Sequence, residues 1–152
     1  MDPKICIKRT QSSNDDFRDL VIQLDKDLYN RYQNIQDVYD RLNKIESIDN
    51  VIVAYVNGQP IGCGCFKEFD SKTVEIKRIF VLSDYRGLGI SKLILSDLEN
   101  WARDLGFSKA ILETGIKQPE AIGLYKKTGY LLIANYGQYK NIPTSICFEK
   151  PL

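Results

Sequence analysis

Residues 81–106 read VLSDYRGLGISKLILSDLENWARDLG. The stretch opens inside an apolar run, Ile79-Phe80-Val81-Leu82, breaks at Ser83-Asp84, and passes through Arg86-Gly87-Leu88-Gly89. It then becomes helix-periodic. Ile90, Leu93, Ile94, Leu98, Trp101, Ala102 and Leu105 recur at three- and four-residue steps and share one apolar face. Gly106 stands where a helix stops on a left-handed residue. The reading is strand, glycine turn, helix. The first turn of a helix has four N–H groups without an internal partner, and the helix dipole adds about half a positive charge there. Gly87 and Gly89 lack a Cβ, so an anion can reach the main chain, and Arg86 adds a fixed charge. The predicted ligand is a phosphate or pyrophosphate, although the same glycines also suit a plain tight turn.

Two familiar phosphate loops do not fit. A dinucleotide fingerprint needs a third glycine three positions after Gly89, where this chain has Lys92. A P-loop needs glycine directly before its lysine, and Lys92 follows Ser91.

The loop resembles that of the GNAT superfamily of acyl-CoA-dependent N-acyltransferases. That pattern is Arg or Gln, two residues, Gly, one residue, then Gly or Ala. Here it runs from Arg86 through Gly87, Leu88, Gly89 and Ile90 to Ser91, a small residue in the last place. A second stretch, residues 118–130 (QPEAIGLYKKTGY), resembles the family's C-terminal motif, with Gln118 standing where Asn is usual. Both motifs occur in order, and the resemblance covers roughly residues 50–150. With its Leu-Glu-Thr-Gly run at 112–115 the chain looks like an uncharacterised bacterial subgroup of acetyltransferases.

Length and composition agree with one enzyme-sized domain over residues 1–152. Hydrophobic residues make up 43% and charged residues 27%, the balance of an ordinary globule. With 21 Lys+Arg against 20 Asp+Glu, the net charge of +1 gives no basic footprint for nucleic acid. No apolar run approaches the ~18 residues of a membrane span, and the N-terminus lacks a signal-peptide core, so a cytoplasmic protein is expected. The four cysteines include Cys63-Gly64-Cys65 in a strand-like run, and there is no histidine. A metal or redox role for this pair is the minor reading, and small buried side chains are the major one.

The rest of the chain supplies the frame. Residues 4–9 read as a strand. Ser12-Ser13 offers a cap to a first helix, with Asp15 and Asp16 in its first turn and Phe17, Leu20, Val21, Leu24 and Leu28 as its stripe. Ile35, Val38, Tyr39, Leu42 and Ile45 suggest a second, shorter helix. Tyr29, Tyr32 and Tyr39 either pack helix on sheet or line an acceptor pocket. Asn57-Gly58 is a strong hairpin signal between Val51–Val56 and the run starting at Pro60. A turn at Asp70-Ser71-Lys72 then leads into the strand before the glycine loop. Lys109 to Thr114 should lie parallel to that strand, since a helix connects them. Pro119 opens a further helix and Gly129 closes it. The fold class is α/β (α+β): a mixed, mostly antiparallel sheet of six to seven strands with helices on both faces. The resemblance adds that the two parallel strands splay apart around the cofactor's pantetheine arm.

What the resemblance implies is acetyl transfer from acetyl-CoA, as co-substrate and without a metal, to the primary amine of a small-molecule or amino-acid-like acceptor. The attack is direct, with no covalent enzyme intermediate. A catalytically weak acyl-CoA sensor and a protein N-terminal or lysine acetyltransferase are the alternatives, and a homodimer fits the family. Deprotonating a lysine-like ammonium at pH 7 costs roughly 4.6 kcal/mol, so a base or a water relay is needed. With no histidine the candidates are Glu75, on the strand before the loop, and Glu113, on the next strand. By resemblance Tyr125 donates to the departing sulfur, backbone N–H groups near Ile79, Phe80 and Val81 serve the thioester carbonyl, and Gln118 holds a pantetheine amide. The acceptor wall is expected at residues 135–144, with Tyr136, Gly137 and Tyr139 forming a flexible edge.

Overall fold

Asn57 and Gly58 both take positive φ, 51° and 77°, the geometry that lets a two-residue turn match the twist of its strands. That hairpin joins β2 (Asn50–Val56) to β3 (Gln59–Asp70), and a second tight turn leads to β4 (Thr73–Val81). The computed structural model describes residues 4–32 and 47–152. Within them β1 (Ile5–Thr10) precedes α1 (Asp15–Tyr32), and after β4 come α2 (Ile90–Asp104), β5 (Lys109–Gly115), α3 (Pro119–Lys127), β6 (Leu131–Ile133) and β7 (Ser145–Pro151). The sheet has seven strands in the order β1-β2-β3-β4-β5-β7-β6. Only β4 and β5 pair in parallel, as a strand–helix–strand connection requires. The second helix expected around Ile35 to Ile45 lies outside the described residues.

Each face of the sheet carries its own core. On one, Phe17, Leu20, Val21 and Leu24 of α1 pack on Val51, Val53, Cys63 and Phe80. On the other, Ile90, Ile94 and Leu98 of α2 meet Ile52, Phe66 and Ile76, and α3 joins them through Tyr125. α2 approaches closely because β3 carries glycine where it crosses. A Cβ on Gly64 would lie 2.6 Å from Ile79 Cδ1 and 2.9 Å from Ile94 Cγ2.

Two local expectations are corrected. Ser12 does not cap α1; it bridges to residue 48, its Oγ accepting from the Ile48 N–H at 2.8 Å. Asn14 is the cap, with Oδ1 accepting from the Phe17 N–H at 3.0 Å. Tyr29 does not pack helix on sheet, being 59% exposed.

Candidate active site

The β4–β5 ladder runs from Thr73↔Lys109 only to Ile76↔Leu112. Beyond that rung β4 continues along β3 to Val81, and β5 continues along β7 to Gly115. The parallel strands therefore part, and a gap opens at the middle of the sheet. On the β4 side the main chain is presented in alternation. The Leu82 N–H donates to Ile61 O on β3 at 2.9 Å, and the Phe80 carbonyl faces β3 near Gly62. Ile79 and Val81 consequently turn their N–H groups toward the gap.

A β-bulge starts this change of direction. Lys77 pairs with Cys65 and Phe80 with Cys63, so Arg78 and Ile79 together face Gly64. Arg78 takes φ 60°, unusual for a side chain of its size. The two β3 cysteines brace the bulge: Cys63 Sγ donates to Arg78 O at 3.4 Å and Cys65 Sγ to Lys77 O at 3.3 Å. Burial pushes the Cys63 thiol far above its usual range, so it stays a protonated donor. Among the described residues no group of His, Cys, Asp and Glu could hold a metal ion, and no helix is long and apolar enough to cross a membrane.

After β4 the chain makes one 3-10 turn and reaches Gly87 and Gly89, with φ of 81° and 79°. A Cβ on either glycine would meet nothing within 4 Å. Glycine is therefore required here for its left-handed backbone rather than for room. Gly89 is the N-cap of α2, whose first turn contains no acidic residue, so its N–H groups and positive dipole end face outward uncontested. Arg86 is folded back as a brace. Its Nε donates to Val81 O at 2.9 Å and its guanidinium lies over the Phe80 ring at 5.7 Å.

Gap and loop open into one cleft of about 260 Å³. β4 lines it with Ile79, Phe80 and Val81; the loop and α2 with Arg86, Gly87, Gly89, Ile90 and Ser91; α3 with Gln118 and Tyr125. Of the expected cofactor residues only Leu88 is absent from the lining, and it is 51% exposed. Gln118 Oε1 accepts from the Gly115 N–H at 3.1 Å and so closes the turn into α3. Tyr125 is buried, with its ring edge-on to Tyr130 at 5.6 Å and tilted on Phe148 at 5.9 Å. Burial, and after it the charge of Glu113, pushes its phenol far up, so the hydroxyl is a neutral donor. α1 closes the mouth through Arg31, which pairs with Asp27 at 3.2 Å and with Glu120 and donates to Lys117 O at 3.1 Å. Nothing in the sequence pattern pointed to this clasp.

A second group of polar side chains gathers on the α1 face of the same gap. Register sets Glu75 opposite Lys67, Lys77 opposite Cys65 and Glu113 opposite Cys147. Glu113 and Lys77 are the first residues beyond the last paired rung, at the fork. Tyr136 donates its hydroxyl to Glu75 Oε2 at 2.7 Å, and Ser145 Oγ donates to Glu113 Oε2 at 2.7 Å. Burial pushes the Glu113 carboxyl up to about 7, the Ser145 hydrogen bond and Lys77 pull it down, and the Glu75 charge adds to the rise. The expected flexible edge is well held: Tyr139 is buried with its ring 5.6 Å from that of Tyr136, and Asn135 Nδ2 donates to Tyr139 O and Ile142 O at 3.3 and 3.1 Å.

The chain is similar to known proteins. The family model described as the acetyltransferase (GNAT) family matches residues 15–130. An IAA acetyltransferase of Azospirillum brasilense is 32% identical over 152 residues, covering 99% of each chain. A solved structure from Klebsiella pneumoniae, provisionally described as an acyl-CoA N-acyltransferase, superposes with a TM-score of 0.81 at 25% identity, over 97% of each chain. A GNAT family acetyltransferase from Elizabethkingia anophelis, solved with acetyl-CoA bound, shares the fold at a TM-score of 0.70 and 22% identity, over 97% of this chain and 98% of its own.

Proposed function

The chain belongs to the GNAT family of acyl-CoA-dependent N-acetyltransferases, and on that premise we propose that it moves the acetyl group of acetyl-CoA to the primary amine of a small, amino-acid-like acceptor by direct attack. The observation that carries this reading is the fork at Ile76 and Leu112. A glycine-shaped, anion-ready helix terminus lies on one side of it, and the buried Glu75 and half-buried Glu113 carboxylates lie on the other. The cleft fits the co-substrate: gap-facing strand N–H groups, a helix N-terminus with a left-handed glycine cap and a narrow gap suit a pyrophosphate followed by a thin amide-bearing arm. When bound, acetyl-CoA supplies an activated thioester carbonyl.

The chain's own groups divide the work. The N–H groups of Ile79 and Val81 face the gap and are placed to donate to a carbonyl oxygen as charge develops on it. Phe80 presents its ring to the cleft, while its main chain serves β3. The backbone from Arg86 to Ser91, including Gly87, Leu88, Gly89 and Ile90, receives the pyrophosphate, with Arg86 holding the loop's shape. Gln118 positions the arm by fixing the turn after β5.

Glu113 takes the proton of the attacking ammonium. A carboxylate raised to about 7 is better matched to an amine than an ordinary one near 4.5, and it stands at the fork. Glu75 supports it by holding Tyr136 and by raising Glu113 through its charge. Tyr125 donates a hydrogen bond to the departing sulfur. With its own phenol pushed up, it stabilises the thiolate rather than surrendering its proton.

The test is free-CoA release across a panel of amines and amino acids at saturating acetyl-CoA. Turnover with at least one small amine is expected. Tight acetyl-CoA binding without turnover on any small amine or peptide would replace the enzyme reading with a sensor.

A further inference from the structure

Arg78, in the bulge next to the cleft-lining Ile79, is a buried charge that the transfer chemistry leaves unused. Its side chain is 2% exposed, and its Nη1 and Nη2 are both buried without a hydrogen-bond partner among the described residues. Among the described residues the anion beside it is Asp25 of α1, at 3.8 Å. That distance gives Coulomb attraction but no hydrogen bond. Buried guanidinium nitrogens are nearly always hydrogen-bonded, because leaving them dry and unmatched is costly. The backbone adds a second oddity: Arg78 occupies the bulge at φ 60°, where glycine or asparagine would be easier. Strained conformations of this kind gather at functional sites.

The neighbours say what would satisfy it. Arg78 precedes Ile79, which lines the cleft, so their Cα atoms lie about 3.8 Å apart. Its contact with Asp25 places its side chain on the α1 side, the side that carries Glu75 and Glu113. One end of this face therefore offers carboxylates for an ammonium. The other offers a planar two-nitrogen fork, whose natural complement is a carboxylate.

We infer that Arg78 is the anchor for a carboxylate on the acceptor, so that the substrate class is a molecule bearing its carboxylate near the reacting amine, as in an α-amino acid. The inference relies on the acetyl-transfer reading only for placing the amine at the fork. The guanidinium then orients the acceptor by its far end while the amine is held beneath the carboxylates. An uncharged amine of the same shape would leave the fork unmatched and lose selectivity accordingly.

The test measures binding, so that it does not depend on turnover. N-acetylglycine, N-acetylleucine, N-acetylphenylalanine and N-acetyltryptophan, and the carboxamide of each, are titrated by calorimetry into the full chain with CoA present. The best acid should bind at least tenfold more tightly than its amide. Arg78→Met should remove that preference, and Arg78→Lys should keep part of it, with the CoA affinity of both within threefold of the parent. If Arg78→Met does not fold, the acid-to-amide ratios of the parent and of Arg78→Lys decide. Equal binding of acid and amide, binding of neither, or a preference unchanged by substitution overturns the inference. Selective binding of the acid without any acetyl transfer would keep the anchor and remove the transfer reading. Transfer to amines regardless of a carboxylate would do the reverse.

Discussion

The two sides of the gap are built on different principles. The cofactor side is made largely of main chain: the N–H groups of Ile79 and Val81, the left-handed Gly87 and Gly89, and the first turn of α2. All of it lies within one continuous stretch, from Ile79 to the first turn of α2. The acceptor side is made of side chains brought from far apart. Tyr136 meets Glu75 across 61 positions, and Ser145 meets Glu113 across 32. A backbone cradle binds a ligand part that never varies, and its geometry depends on glycine more than on any functional group. A side-chain cluster can change acceptor by changing one residue, and its chemistry depends on burial and mutual charge. Substitutions on the cofactor side should therefore move acetyl-CoA affinity, and those on the acceptor side should move turnover, acceptor KM and pH dependence.

The largest expected effect is at Glu113. Glu113→Gln should lower kcat/KM for the amine about 10³-fold, within the usual range for a lost general base, and leave acetyl-CoA affinity within about threefold. It should also change stability in a direction that can be worked out. The Glu113 carboxyl rises from 4.5 to about 7 on folding. Between those values the folded chain holds more protons than the unfolded one, so stability falls as pH rises through that window. Thermal unfolding followed from pH 4 to pH 8 should show a shallower fall in Glu113→Gln than in the parent. A parallel fall in both would mean that the carboxyl is not raised.

Gly89→Val comes next and tests the other side. A β-branched residue resists φ near 79°, yet its Cβ meets no neighbour within 4 Å. The chain should fold and bind acetyl-CoA at least tenfold more weakly, about 1.4 kcal/mol. Turnover at saturating acetyl-CoA should be largely kept. Calorimetry showing unchanged affinity in a folded variant would remove the backbone cradle from the account.

The smallest effect is expected at Tyr136. Tyr136→Phe keeps the ring contacts and removes one hydrogen bond to a carboxylate, a loss of roughly 1.5–3 kcal/mol in stability. Acceptor KM should rise about fivefold with acetyl-CoA affinity unchanged. A change in acetyl-CoA affinity instead would show that the two sides are not separable.

The same contrast explains what could be read from the sequence. The glycine loop, α2, the Asn57-Gly58 hairpin and the parallel β5 were legible because each is declared by neighbouring residues. The glycine loop's share of the cleft lining followed from them, whereas Gln118, Tyr125 and the Ile79–Val81 edge came from the family resemblance, and Leu24, Asp27 and Glu120 were not expected. The cap of α1 was misread because Ser12 and Asn14 are equally good caps by type, and only the long-range bond between Ser12 and Ile48 takes the serine away. The bulge at Arg78 had no signal, since no glycine or asparagine marks it. Its stability comes from cysteines on another strand. The partners of Glu75 and Glu113 were illegible for the same reason, although both glutamates stood out by being carboxylates on strands beside the loop.

Tyr125 is where the two sides meet, since it lines the cleft and feels the charge of Glu113. The most direct test is a single-turnover measurement of acetyl transfer at saturating acetyl-CoA in Tyr125→Phe, which keeps the ring and loses only the hydroxyl. A hydroxyl needed mainly as the thiolate departs should slow transfer about 10²-fold and change acetyl-CoA affinity by less than threefold. Transfer at the parent rate would contradict the account, because the group at the centre of the gap would then have no part in the reaction.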